Sequence, residues 1–242
     1  MKILILAPYS PWPPSFGGSI RTYHLARQLS RHRHRLSLLS YDSDPAASHR
    51  QEQLDRVFEQ TTLIPRSEDA KRWQQFRSLF SRRSYQFRSH HQKAMQQALD
   101  DAVADFEPDV ILVEFAQMAG FSFPENIPVV IDEHNIEFDL LKRMADTDCT
   151  SVRKLYNLLE VTKFRREELK SLQLADLTLT TSDRDAELIR DLLPGLDTAV
   201  VSNGVDTAAY ASDERPRKPN TAVFVGATHY YPNEDGLRTF MD

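Results

Sequence analysis

The chain has 242 residues, 40% hydrophobic and 27% charged, the balance of a globular protein that can build one large domain, or one domain and part of another. A formal charge of -5 argues against a dedicated nucleic-acid binder. The lone Cys149 excludes an intrachain disulfide and points to a reducing compartment, and no apolar run is long enough for a signal peptide or a membrane span.

Near the N-terminus Ile3 to Leu6 form a short apolar run, a proline-rich turn follows, and Gly17-Gly18 opens a segment of helical periodicity. A strand apolar on both faces belongs at the centre of a parallel sheet. Glycines before a first helical turn let a bulky anion approach N–H groups that have no intrahelical partner, so the segment reads as a phosphate-facing corner of a Rossmann-like domain. Ser19 reads as the N-cap, with Ile20, Tyr23, Leu25 and Leu29 spaced to face the sheet. Neither GxGxxG nor GxxxxGK[ST] occurs, which disfavours a dinucleotide cofactor or an ordinary P-loop. The plain alternative is a tight turn that needs glycine only for its backbone angles.

Strand-like and helix-like segments then alternate. Arg35 to Tyr41, Thr61 to Pro65, Asp109 to Val113, Pro128 to Asp132, Leu177 to Thr181 and Ala199 to Ser202 read as strands. Gln51 to Phe58, Asp69 to Phe80, His91 to Phe106 and Asp183 to Leu193 read as helices, the last stopped by Pro194-Gly195. Strands separated by helices imply crossover connections, hence an α/β, doubly wound and mainly parallel sheet. Ligands of such sheets sit at the carboxyl ends of the strands.

Three of those ends carry polar candidates: the Gly17-Gly18 loop, Glu114 after DVILV, and Glu133-His134-Asn135-Ile136-Glu137 after PVVID. Glu114 has the chemistry to bond a sugar hydroxyl or to cap a neighbouring helix. An imidazole at the crevice can donate to a hydroxyl or phosphate and titrates near neutrality, although a lone histidine is often satisfied by backbone bonds. Adjacent residues on a strand point to opposite faces and no second His or Cys stands at ligand spacing, so Asp132, Glu133 and His134 do not read as a metal site. No GxSxG turn supports a Ser-His-Asp hydrolase. Between Arg66 and Lys93 basic residues alternate with Trp73, Phe76, Phe80, Tyr85 and Phe87, either as a solvated helix with aromatics inward or as a surface for anionic lipid headgroups.

Several of these elements, in this order, resemble the N-terminal half of GT-B glycosyltransferases of family 4, and within it the bacterial transferases of exopolysaccharide and cell-envelope synthesis: PWPPSFGGSIRTYHL, PVVIDEHNIE, ELKSLQLADLTLTTSDRDAELI, VVSNGVD and FVGATHYYPNEDGL. The resemblance implies a cytoplasmic enzyme, possible at the inner membrane periphery, that moves a sugar from a nucleotide diphosphate sugar to a saccharide or lipid-linked acceptor with retained configuration and with neither cofactor nor metal. Gly17, Gly18 and Ser19 are then placed at the donor diphosphate, His134 at the transferred sugar, and Asn203 and Gly204 at the hinge. Arg21, Glu114, Asn135 and Glu137 are acceptor or sugar-binding candidates by position.

The expected organisation is an N-terminal Rossmann-like domain over residues 1–207, a linker over 208–220, and the first βα unit of a truncated second domain over 221–242, with a strand from Thr221 to Gly226 and a helix from Pro232 to Met241. The chain is thus expected to be a fragment inactive by itself. A sugar- or nucleotide-binding module and a GT-B-like nucleotide-sugar epimerase are the competing functions.

Overall fold

The computed structural model describes residues 1–43, 48–66, 77–146, 151–208, 218–227 and 231–241. Seven strands form a single sheet: β1 (Lys2–Ala7), β2 (Arg35–Asp42), β3 (Gln60–Pro65), β4 (Val110–Glu114), β5 (Val129–Glu133), β6 (Leu177–Thr180) and β7 (Thr198–Val200). Their order is β3-β2-β1-β4-β5-β6-β7, and every pairing is parallel. The chain therefore winds outward from β1 to one edge, returns, and winds from β4 to the other, which is the Rossmann-like architecture the alternating pattern implied.

β1 lies at the centre because both of its faces are covered. Leu4 and Leu6 join Leu39, Met95, Leu99, Val113, Ile131 and Phe164 in one core, while Ile3, Ile5 and Ala7 join Tyr23, Ala26, Leu38, Leu54 and Phe58 in the other. Each fully buried Leu or Ile contributes roughly 1.5–3 kcal/mol. The second core lies under α1 (Gly17–Arg31) and α2 (Ser48–Leu54). The first lies under α3 (Tyr85–His90), α4 (Lys93–Phe106) and the long α6 (Ser151–Leu172), which follows α5 (Glu137–Asp146).

Several element boundaries differ from the sequence reading. The helix expected over His91 to Phe106 begins two residues later, as α4, because the backbone of His91 and Gln92 leaves the helical region, and a separate short helix, α3, precedes it. α2 covers Ser48–Leu54 rather than Gln51 to Phe58. α7 (Asp183–Leu192) starts on a Ser182 side chain that accepts from Asp185 N, with Asp183 and Asp185 in its positive first turn. Cys149 and most of the helix expected over Asp69 to Phe80 lie outside the described residues.

The chain divides into two compact units, Met1–Asn203 and Gly204–Asp242. Within the second, α8 (Tyr231–Met241) forms, but Thr221 to Gly226 is no strand. Val223, Phe224 and Val225 are exposed, since a strand needs a ladder partner and a covered face, and the described residues of this unit supply neither. Among the described residues no helix is long and apolar enough to cross a membrane.

Candidate active site

The reversal of strand order between β1 and β4 opens a crevice at their carboxyl ends. The loop leaving β1 crosses this crevice and enters α1. Here the structure corrects the sequence reading, because Phe16 is the N-cap and Ser19 is the third helical residue. The Ser19 hydroxyl is fully buried, accepts from Ser15 N (3.0 Å) and Phe16 N (3.2 Å), and donates to Phe16 O (2.9 Å), so it fastens the loop to the helix. Ile20, expected to face the sheet, is exposed; Ser19, Arg21, Thr22, Tyr23 and Ala26 form the buried face instead, while Leu25 and Leu29 are half-buried. A mostly polar face is turned inward because partners wait for it on β4 and β5.

Arg21 forks onto Asp132 at the end of β5, with Nε to Oδ2 and Nη2 to Oδ1 both 2.9 Å, and its Nη1 donates to Asn203 Oδ1 at 3.1 Å. One residue on, the Thr22 hydroxyl donates to Glu114 Oε2 at 3.1 Å. The same oxygen lies 2.7 Å from His134 Nε2, which also stands 3.9 Å from Asp132 Oδ2. When Glu114 is ionised it can only accept, and Nε2 then carries the proton and leaves Nδ1 for another partner. Thr181 donates to the His134 carbonyl at 3.0 Å and fixes the backbone behind the ring.

Aromatic rings complete the corner. Phe115, directly after β4, adopts φ +68°, a left-handed setting that is costly for a bulky residue and that concentrates at functional sites. It lays its ring 4.1 Å from that of His134. Tyr9 packs against Phe115 and Phe16, with centroids at 6.0 and 4.7 Å, and a Cβ added at Gly18 would stand 1.9 Å from its hydroxyl. Glycine at 18 is thus required by a ring rather than by backbone angles; a Cβ at Gly17 would meet nothing within 4 Å.

The site is strongly acidic and buried. Burial raises the Glu114 carboxyl above its ordinary value, helped by the charge of Asp132 and opposed by the bonds from His134 and Thr22. Glu133, the next residue along β5, points to the other face, accepts from Ala116 N at 2.8 Å, and is pushed well up by burial and by Glu168. Burial and the Glu114 charge likewise raise the Tyr9 phenol.

Glu168 on α6 receives the first N–H groups of α5, from Glu137 (2.8 Å) and Phe138 (2.9 Å). Burial lifts it from 4.5 to about 8, and lifts Glu137 from 4.5 to about 7. Raised carboxyls hold more protons folded than unfolded, so their stabilisation is complete below pH 4.5 and is lost as pH rises through about 7 to 8. Urea unfolding across that window should show stability falling with pH, by at most about 1.4 kcal/mol per pH unit for each proton. Glu168→Gln should flatten the slope; an unchanged slope in that variant would contradict this assignment.

Of the residues singled out in the sequence, Gly18, Arg21, Glu114, His134 and, through its bond from Arg21, Asn203 converge, joined by Asp132, Thr22, Tyr9 and Phe115. Arg21 and Glu114 are buried and bonded internally rather than presented to solvent. Asn135 is exposed, Glu137 opens α5, Asn203 closes the first unit, and Gly204 begins the second. The strand-alternation argument against a metal holds for Glu133 but overlooked the adjacent strand: single ligand atoms of Glu114, Asp132 and His134 lie within 4.8 Å of one another. A cation there would compete with Arg21 for both oxygens of Asp132. Beside this network, at the ends of β1 and β2, is a cleft of about 230 Å³ whose lining includes Tyr9, Trp12, Tyr41, Asp42, Arg50 and Arg66.

No curated protein matches the chain by sequence. Among solved structures it is similar to sucrose-phosphate synthase from Thermosynechococcus elongatus (TM-score 0.52, 13% identity, 85% of this chain and 49% of that one). It is also similar to Phytolacca americana UGT2 complexed with UDP-2fluoro-glucose and pterostilbene (TM-score 0.51, 11% identity, 87% and 57%). The chain thus spans about half the length of these neighbours, and the likeness shows the fold, the N-terminal Rossmann-like domain of the GT-B type. The sequence profile described as Glycosyltransferase Family 4 matches residues 17–209, most of the chain, and the protein belongs to that family.

Proposed function

We propose that the chain forms the acceptor-side domain of a retaining, metal-independent glycosyltransferase that moves a hexose from a nucleotide diphosphate sugar to a saccharide or lipid-linked acceptor in the cytoplasm, in bacterial polysaccharide or cell-envelope synthesis. One observation carries the reading: the first turns of α1 and the ends of β4 and β5 are tied into a single buried network around His134, beside the open Gly17 backbone. The donor and acceptor named with the UGT2 structure support the two-substrate form of the reaction.

In this reaction the bond from the anomeric carbon to the diphosphate oxygen breaks while the bond to the acceptor oxygen forms on the same face. The acceptor proton leaves with the departing diphosphate. The first-turn N–H groups of α1 at Gly17 and Gly18 favour the charge that develops on that leaving group. His134 orients the sugar: with Nε2 donating to Glu114, its Nδ1 takes a hydroxyl proton of the ring as a hydrogen bond. Glu114, Thr22, Arg21 and Asp132 are positioning residues. The aromatic cleft bounded by Arg50 and Arg66 receives the acceptor. Because Asp132 already has Arg21 as its counter-charge, no cation is required at the carboxylates.

The test is an assay of the active enzyme with radiolabelled UDP-, GDP- and ADP-sugars, with and without saccharide and lipid-linked acceptors, reading product configuration by NMR. Transfer with retained anomeric configuration is expected. Epimerisation of the donor without acceptor, or binding without turnover, would overturn the reading.

A further inference from the structure

We infer that Phe115 is a positioning residue that fixes the plane of the His134 imidazole, and that Glu133 holds Phe115 in the backbone setting this requires. The inference rests on the proposed role of His134 and names the residues that set that role up.

On a regular strand consecutive side chains point to opposite faces, so Glu114 and a strand-like Phe115 could not both reach one imidazole. Both do. Glu114 Oε2 lies 2.7 Å from His134 Nε2, and the Phe115 ring centroid stands 4.1 Å from that of His134, with the planes tilted by 41°. The backbone turns the second side chain back: Phe115 sits at φ +68°, ψ 141°, outside the left-handed helical well and in a region that only glycine enters readily. Such strain persists only where the surroundings impose it.

Three hydrogen bonds impose it here. Phe115 N donates to Asp132 O at 3.0 Å, Met118 N donates to Phe115 O at 3.0 Å, and Ala116 N donates to Glu133 Oε1 at 2.8 Å. Asp132 points into the crevice and Glu133, the next residue, to the other face, where it is 1% exposed. The peptide between residues 115 and 116 is thereby held from both sides of β5.

A hydrogen bond through Nε2 fixes one atom of the imidazole but lets the ring pivot about it, whereas a second ring packed against its face fixes the plane and with it the direction of Nδ1. Nδ1 is the atom assigned to the sugar. Misplacing such a group by about 1 Å costs on the order of 100-fold in rate. Phe115 is 8% exposed and meets Tyr9 at 6.0 Å, so its ring is itself confined.

The test compares Phe115→Ala with Phe115→Gly by unfolding midpoint, by kcat of the active enzyme, and by nitrogen NMR of the imidazoles, with His134→Ala assigning the signal. Both variants lose the ring, but only glycine relaxes the backbone, so glycine should be the more stable of the two, against the usual order. Both should lower kcat by at least about tenfold and move the His134 nitrogen signals from one tautomer toward an average of two. Glu133→Ala should give the same signature, and Glu133→Gln should keep the parental one, since an amide oxygen still accepts from Ala116 N. Parental turnover with parental His134 signals in the Phe115 variants would overturn the inference, as would alanine at 115 as stable as glycine. If the enzyme transfers no sugar at all, the transfer reading fails instead, and the NMR and stability comparisons still decide the role of Phe115.

Discussion

Asp132→Ala should lower the stability of the first unit by about 3–5 kcal/mol, the cost of leaving a buried cation without its partner. The Arg21 and Asp132 side chains are 3% and 1% exposed, and both oxygens of Asp132 are held by the guanidinium fork. A lysine stranded in such a place would release its proton, but a guanidinium keeps its charge at any ordinary pH. Nor can Asn203, a neutral acceptor 3.1 Å from Nη1, replace the missing charge. Removing Arg21 leaves Asp132 facing Glu114 and His134, and Glu114 is then driven further toward its protonated form.

Replacing both members with apolar residues of similar size, as in Arg21→Met with Asp132→Leu, should recover most of the loss, because neither charge then has to be desolvated. The double variant isolates the pair from the packing around it. Urea unfolding midpoints with unchanged slopes are the readout. A loss of less than about 1 kcal/mol for Asp132→Ala would show that the pair does not hold α1 onto β5.

The same pair shows where the sequence was readable and where it was silent. The apolar runs Ile3 to Leu6, DVILV and PVVID could only be strands buried on both faces, and their parallel order followed from the helices between them. His134 and the diglycine were recognisable because they stand at strand ends. Asp132 and Arg21, 111 residues apart, carry no local mark of their contact. Arg21 was a candidate by position only and Thr22 was not singled out, and the helical spacing turned Ile20 inward when it is in fact outward.

Tyr9 and Phe115 were overlooked for a related reason. A tyrosine in a proline-rich turn and a phenylalanine after a strand are common, and only the fold reveals one ring over Gly18 and the other, at positive φ, against His134. The metal argument compared neighbours along one strand and so did not see that Glu114, from the next strand, stands near Asp132 and His134. α6 gave no clean stripe, because Val161, Phe164 and Leu172 face the core while Leu155, Leu158 and Leu159 face out. A helix apolar on two sides has no periodicity that separates core from surface.

His134→Ala carries the second large effect, and it should fall on turnover rather than on folding. The ring is near the surface of the network, 7% exposed, and its removal leaves Glu114 with the Thr22 hydroxyl as a remaining partner. The fold therefore keeps its cores and its Arg21 fork. What disappears is the group whose Nδ1 is proposed to orient the sugar, and loss of one such positioned hydrogen bond in a transition state costs on the order of 100- to 1,000-fold in rate. Glu114→Gln should give a smaller loss together with an altered pH profile, because it still bonds Nε2 but no longer fixes the tautomer by charge.

The most direct measurement of the whole account is kcat of His134→Ala in the active enzyme with saturating nucleotide sugar, alongside its unfolding midpoint. A fall of about 100-fold or more with a nearly unchanged midpoint is the predicted result. Turnover within a few-fold of the parent, in a variant that folds normally, would contradict it.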